Sequence, residues 1–549
     1  MHCRFRRFTA ASLAGMMLAG CGSSTATSGT AETAGSSSSE DDKTIVVAVA
    51  NDLNTMDSGL ATDEVSFDMI TLCESGLVQL TEGGETIPDL AESWEVSDDK
   101  LTWTFHLRDG IVWSDGTPIT ASDFVYGWTR VVDPDTGSEY SYIMDSLHVL
   151  NAAEVNSGAL PTSEFGVEAP DDKTFVVHLS LPCPFFLTCL SNPQFLPLNQ
   201  AFVEAQGDQY ALSPDNMLYS GIYTMTGWDA GNEYTFEHND KYWDAENYPQ
   251  KKIVIKFMQD TQTAMLSYES GAIDVVTLTG ELVDEYSGAE GFTRTLTSGI
   301  WWLWPNMEDP SLSNENLRKA IAYSIDRESI CTAALKTGAI EADGIVAKDL
   351  LNLPDGNEYR SEVGDFTAYD PEKAAEYYAR AKEELGGDVT IELLCDDAQD
   401  ITKVAENLQQ EIQTACPGIT ITINTKPKKT RIQLGQEHDF QLIMNRWIPD
   451  YADPQSYLDC FLTGNSMNDG QTSNAEYDEL VNKGTRGEDA ADEAKRMEDL
   501  IAAEKILVEE ENLAIPVYQE GGAVMVNPKT TGYLPLVLGT GKYRHMVKE

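Results

Sequence analysis

Val389-Thr390-Ile391-Glu392-Leu393-Leu394 reads as a buried strand, and its continuation decides the architecture. Val404, Leu408 and Ile412 recur at helical spacing, Cys416-Pro417-Gly418 breaks that helix, and Ile419 to Ile423 reads as a second strand. Strand, helix and strand in that order make a βαβ unit, which demands a parallel pair and a right-handed crossover. Immediately upstream, Asp370-Pro371 supplies an N-cap and a proline at the first helical position, and Gly386-Gly387 stops the helix. Before that, Leu317, Ala320, Ile321, Ser324 and Ile325 mark another helical face. The C-terminal third is therefore expected to contain an α/β lobe.

The N-terminal two thirds are dominated by strand signals. Thr44 to Val49 is a continuous apolar run, Leu101 to Leu107 alternates as a half-buried strand must, and Phe175 to Leu179 reads as a further strand. Asp109-Gly110, Asp115-Gly116 and Thr117-Pro118 punctuate the chain with turns. These signals imply at least two α/β lobes with long β-rich excursions, and ligands of such folds bind beyond the strand ends or between lobes.

The first twenty residues carry Arg4, Arg6 and Arg7, an apolar run from Phe8 to Met17, and the start of the tetrad Leu18-Ala19-Gly20-Cys21. The run is too short for a helix that must cross roughly 30 Å of hydrocarbon, so it reads as a removable signal. The tetrad resembles a bacterial lipobox, which makes Cys21 the expected lipid anchor. Gly22 to Lys43 holds no aromatic or large aliphatic side chain and reads as a disordered tether.

The chain has 549 residues with 37 Lys and Arg against 90 Asp and Glu, a formal charge of −53. That sign excludes nucleic acid as a partner and repels anionic headgroups, so membrane association must come from the lipid. Of nine cysteines, Cys73, Cys183, Cys189, Cys331, Cys395, Cys416 and Cys460 remain beyond the anchor, with no zinc-like spacing. They read as small buried hydrophobes, a Cys183–Cys189 bridge being the alternative.

No nucleophile elbow, zinc-protease motif, phosphate loop or dinucleotide fingerprint occurs, and the seven histidines are dispersed. No metal or cofactor is implied. Two segments are crowded with aromatics instead: Ile300-Trp301-Trp302-Leu303-Trp304-Pro305-Asn306, and Trp447-Ile448-Pro449-Asp450-Tyr451. In a strand Trp302 and Trp304 share one face while Trp301 points away. At least one face is expected to line a cavity; packing of all three is the alternative.

Several separate blocks carry a resemblance that covers nearly all of the mature chain. Ile87 to Val96, Trp103 to Gly110 and Trp113 to Tyr126 look like the hallmark segment of family 5 extracellular solute-binding proteins of the oligopeptide-binding type. Ser220 to Tyr223 with Trp228, Asn239 to Asp244, Leu317 to Arg327 and Ala514 to Tyr518 are similar to the family's later blocks. The resemblance implies an α/β, two-lobed periplasmic-binding-protein-like clamshell (type II, cluster C) with an additional β-rich subdomain. It places the signal at 1–20, the anchor and tether at 21–43, the first lobe at 44–80, 213–297 and 519–549, the extra subdomain at 81–212 and the second lobe at 298–518. The lobes would be joined by crossings near 296–299 and 517–522.

In peptide-binding relatives the carboxylate that meets a peptide's amine is the Asp of a Trp-x-x-Asp motif, which falls on Trp447 and Asp450. Trp447 and Trp302 are expected as walls, with Arg446, Trp304, Asn306, Tyr451 and Tyr518 completing the candidate site. Arg446 stands where close relatives carry a small residue, and Met444 where an arginine is common; Arg446 either serves a ligand carboxylate or pairs with one of the chain's own acids. The resemblance implies a monomeric receptor on the outer face of the cytoplasmic membrane, lipid-anchored, that binds short peptides and delivers them to an ABC importer's permease and ATPase. A dipeptide, sugar or metal chelate is the alternative ligand, and a secreted hydrolase or a signal-sensing protein the alternative class.

Overall fold

A computed structural model describes residues 43–81, 85–538 and 541–549. The leader, Cys21 and nearly all of the tether lie outside that range. Along the chain the principal strands are β1 (Ile45–Val49), β2 (Ala91–Val96), β3 (Thr102–Leu107), β4 (Val167–Asp171), β5 (Thr174–His178), β6 (Tyr223–Asp229), β7 (Glu233–His238), β8 (Lys252–Phe257), β9 (Val275–Leu278), β10 (Phe292–Pro305), β11 (Val389–Asp396), β12 (Ile419–Lys426), β13 (Leu442–Trp447) and β14 (Ile515–Val526).

The βαβ reading holds in detail. β11 and β12 are parallel in register from Val389 opposite Ile419 to Asp396 opposite Lys426, and the helix Gln399–Ala415 connects them. Asp370 caps the helix Pro371–Leu385 by accepting from the Lys373 N–H at 2.9 Å. Gly386 closes that helix at φ 81°, a conformation that costs a residue with a Cβ.

The main sheet runs in the order β12-β11-β13-β10-β14-β9-β1-β8-β7-β6. Its two halves face different cores: one around Leu393, Ile421 and Met444, the other around Ile45, Ile253 and Phe236. These halves are the two lobes of a periplasmic-binding-protein fold. Only β10 and β14 belong to both. They pair antiparallel, Leu296 stands opposite Gly521 and Ile300 opposite Gln519, and the register is irregular between those pairs. Three residues on one strand thus face one on the other at the point of crossing, a local disruption that bends a ladder.

The additional subdomain is an antiparallel sheet in the order β2-β3-β5-β4, covered by the helix Ala121–Val132. Trp128 and Phe175 meet edge to face there, with ring centroids 5.0 Å apart. Cys183 and Cys189 are both free and buried in this core, as are the other five described cysteines in theirs, so the bridge alternative is not formed.

Residues 541–549 return to the first lobe. The buried Arg544 guanidinium lies 3.0 Å from the Asp89 carboxylate and donates to the Ser75 hydroxyl at 2.9 Å, while Lys548 lies 2.8 Å from Asp274.

A second buried cluster lies in the core of the second lobe. Glu504 accepts from the Ile345 and Val346 N–H groups at 2.8 and 2.9 Å and from the Tyr359 hydroxyl at 2.8 Å, and it pairs with Arg360. Gly344 sits against this pair, and a Cβ there would come within 2.5 Å of both partners. Removing one member of a buried ion pair leaves an uncompensated charge. Glu504→Ala is therefore expected to cost about 3–5 kcal/mol, read as a lowered urea midpoint at unchanged slope.

Candidate functional site

Two adjoining cavities occupy the cleft, one of about 620 Å³ and one of about 300 Å³. Pro535 and Leu536 line both, so the chain at 535–536 forms a ridge between them. The ridge is moored on either side. Tyr533 packs against the first-lobe core, Leu538 against a second-lobe core, and the Ser298 N–H donates to the Val537 carbonyl at 3.1 Å within the crossing of β10.

The Trp-x-x-Asp segment leaves the end of β13 and enters the smaller cavity at Asp450 and Tyr451. Its backbone is held from both sides. The Ser456 hydroxyl accepts from the Asp450 N–H at 3.1 Å and from the Trp447 indole N–H at 3.4 Å. From the subdomain, the Asn192 amide donates to the Asp450 carbonyl at 3.4 Å. Tyr451 stacks face to face on Phe185, centroids 4.1 Å apart and planes parallel, and is buried within the subdomain's own core. Behind it, Arg496 forms a buried two-point contact with Asp453 at 2.7 and 2.8 Å.

Asp450 itself is partly exposed, and the Tyr142 hydroxyl donates to its carboxylate. Burial pushes the Asp450 carboxyl up to about 6 against that opposing hydrogen bond. Within 4 Å no lysine, arginine or histidine of the described residues pairs with it.

The other expected residues divide. Tyr518 lines the larger cavity and stacks on Trp301, centroids 5.8 Å apart and planes 17° apart. Arg446, opposite Trp301 on β13, donates to both oxygens of Glu520 at 3.0 and 2.8 Å, so it is paired with the chain's own acid. Gly299 leaves room for that acid, since a Cβ there would lie 2.8 Å from Glu520 Oε2. Trp447 is half-buried against a second-lobe core and lines neither cavity.

Trp302 and Trp304, expected at the site, line neither cavity. Each is 1% exposed, and both pack on Phe461 inside the second lobe, with ring centroids at 5.7 and 4.6 Å. The face they share is the core face, and the wall of the cleft is Trp301. Asn306 also lies away from the cleft. Its amide donates to the His438 and Phe440 carbonyls at 3.1 and 3.0 Å, tying the end of β10 to the turn before β13. Among the described residues no group of three side chains converges to hold a metal.

Several contributors have no signature in the sequence: Tyr142, Asn192 and Phe185 from the subdomain, Asp349, and the ridge. Strand alternation separates Trp301 from Trp302 and Trp304, and it is the one signal for the wall that is present locally.

Residues 85–469 match the profile of bacterial extracellular solute-binding proteins, family 5. The chain belongs to that family. This family 5 protein is 31% identical over 541 residues to a dipeptide-binding protein of Lactococcus lactis, with 95% of each chain covered. Among solved structures, the substrate-binding domain of an oligopeptide ABC transporter from Bacillus anthracis is 33% identical, with a TM-score of 0.75 over 92% of this chain and 98% of that one. Listeria monocytogenes OppA bound to peptide is 30% identical, with a TM-score of 0.74 over 92% of this chain and 99% of that one.

The Phe185–Tyr451 stack is an apolar link between the family 5 protein's subdomain and its Trp-x-x-Asp loop. Phe185→Ala removes a buried aromatic, a change that costs about 3–5 kcal/mol. Faster amide exchange across residues 447–456 than in the βαβ unit is the expected outcome, measured by mass spectrometry.

Proposed function

We propose that this protein is the lipid-anchored, extracytoplasmic receptor of an ABC importer, and that it captures short peptides between its lobes by their free amino group. The observation that carries this reading is Asp450: a carboxyl raised to about 6 by burial, facing a cavity, with a tyrosine hydroxyl beside it and, among the described residues, no lysine, arginine or histidine lining that cavity. A partly buried carboxylate of this kind gains most from an ammonium that arrives with the ligand, because once the ligand covers the cavity each charge left alone costs several kcal/mol. The names of the relatives, one of which holds a peptide in its structure, support the same ligand class.

Affinity for peptides of unknown sequence comes chiefly from backbone hydrogen bonds of the strand-addition kind. Trp301 and Tyr518 supply an apolar wall for side chains, and the Arg446–Glu520 pair keeps a charged rim without a net sign. The first lobe, the subdomain (81–212) and the second lobe (298–518) close over the ligand about the irregular crossing of β10 and β14. Cys21 holds the monomeric receptor at the outer face of the cytoplasmic membrane beside its permease and ATPase.

Asp450→Asn is expected to weaken free-amine peptides about a hundredfold or more, in line with truncating a buried hydrogen-bonded charge, and N-acetylated peptides far less. Calorimetric titration measures both, and equal losses for the two ligands defeat the amine assignment. The pH dependence has a definite sign. Asp450 is charged above its raised value and neutral below it, so affinity for a free-amine peptide holds near neutral pH and falls as pH drops through about 6. Titrations on either side of that value check this.

A further inference from the structure

Where β10 and β14 cross between the lobes, side-chain bonds stand in for the interrupted ladder. Gln519 supplies them. Its backbone faces Ile300 on β10 and Ile340 in the short strand Ile340–Glu341, and the residue is 1% exposed. The amide Nε2 donates to the Thr297 carbonyl at 2.9 Å and to the Lys348 carbonyl at 3.0 Å, and Oε1 accepts from the Lys348 N–H at 2.9 Å. Both donors and the oxygen of this buried amide are thus engaged, two of the three bonds going to the backbone of one residue.

The groups that this amide joins belong to the walls of different cavities. Thr297 lines the larger cavity, Asp349 and Leu350, next to Lys348, line the smaller one, and Gln519 lines neither. Lys348 leads into a tight turn, since Asp349 takes a left-handed φ of 61°, a sparsely populated conformation that persists only where its surroundings over-determine it. The Gln519 amide grips the backbone on one side of that turn, and Glu358 accepts from the Asp349 N–H at 3.0 Å on the other. A rotation at the crossing therefore pulls on Thr297 and on the Lys348–Leu350 segment together.

We propose that Gln519 is a positioning residue for ligand capture: its buried amide makes the wall at Lys348–Leu350 follow the crossing of β10 and β14, so that both cavities are shaped in one step when the lobes close. The assignment rests on the proposed peptide-binding role and deepens it, by naming the bonds through which lobe movement reaches the cavity that holds Asp450. A continuous backbone ladder resists bending. Three bonds on one side chain can be kept while strand angles change, and they sit where the register of β10 and β14 is irregular.

The test is amide exchange by mass spectrometry on the full chain, with and without free-amine Ala-Ala-Ala-Ala, in wild type, Gln519→Glu and Gln519→Asn. Glu keeps the acceptor for the Lys348 N–H but sets a carboxylate against two carbonyls; Asn keeps the amide and falls one methylene short. In wild type the peptide is expected to slow exchange at 347–351 and 295–299 as well as at 447–456. In either variant protection at 447–456 remains and protection at 347–351 is lost. Affinity, read by calorimetry, falls about tenfold, within the range of coupling between sites, and the preference for free-amine over N-acetylated peptide is unchanged. A merely structural role lowers thermal stability yet leaves ligand-dependent protection at all three segments, and that result overturns the assignment. So does a wild type in which the peptide protects 447–456 but not 347–351, a readout that needs no variant to fold. Absence of protection at every segment in wild type, with no preference for the free amine, overturns the peptide-binding role and the assignment with it.

Discussion

A largely desolvated carboxylate without a cation beside it is unfavourable, and much of the chain around the partly exposed Asp450 serves to hold one in place. Ser456 and Asn192 fix the backbone on either side of it, Tyr451 is sunk into a neighbouring core, and Arg496 locks the following turn through Asp453. Each of these contacts restricts the loop's freedom to swing the carboxylate out to solvent, the simplest way of relieving the penalty. A charge that cannot relax is preorganised for whatever positive group enters, and preorganisation raises affinity by lowering the cost of ordering the site.

Arg446 shows the contrasting solution. It is cationic, close to the same cleft, and already satisfied by both oxygens of Glu520. Its charge is neutralised inside the protein, and the stacked pair of Trp301 and Tyr518 beside it is left as a largely neutral surface. The larger cavity thus has an apolar wall among side chains of both signs, Glu64, Asp400, Lys403 and Lys542 among them.

The parts of this architecture that are legible in the sequence are those fixed by local periodicity and capping. The βαβ unit from Val389 to Lys426 and the helix between Asp370 and Gly386 can be read from spacing, an N-cap and glycine stops. The family motif points to Asp450 because the Trp-x-x-Asp spacing is local too. Features that depend on contacts made far along the chain are hidden. Asn192 reaches Asp450 across 258 positions, and the ridge at 535–536 has no period of its own. Alternation tells that Trp301 opposes Trp302 and Trp304, but which side of a central strand faces solvent-filled space is decided by the layers packed on it. Phe461 covers the side that carries two of the three tryptophans, so the richer face is the buried one.

The return of residues 541–549 to the first lobe affects the order in which the protein can be made. Asp89 and Asp274 are buried carboxylates whose cationic partners, Arg544 and Lys548, are synthesised several hundred positions later. Until those residues emerge, both buried acids lack their cationic partners, although the strands of the sheet around β1 and β9 end at Val526. The last nine residues therefore close two charge pairs that the rest of the fold leaves open, and loss of this short tail would leave two buried carboxylates without a cation.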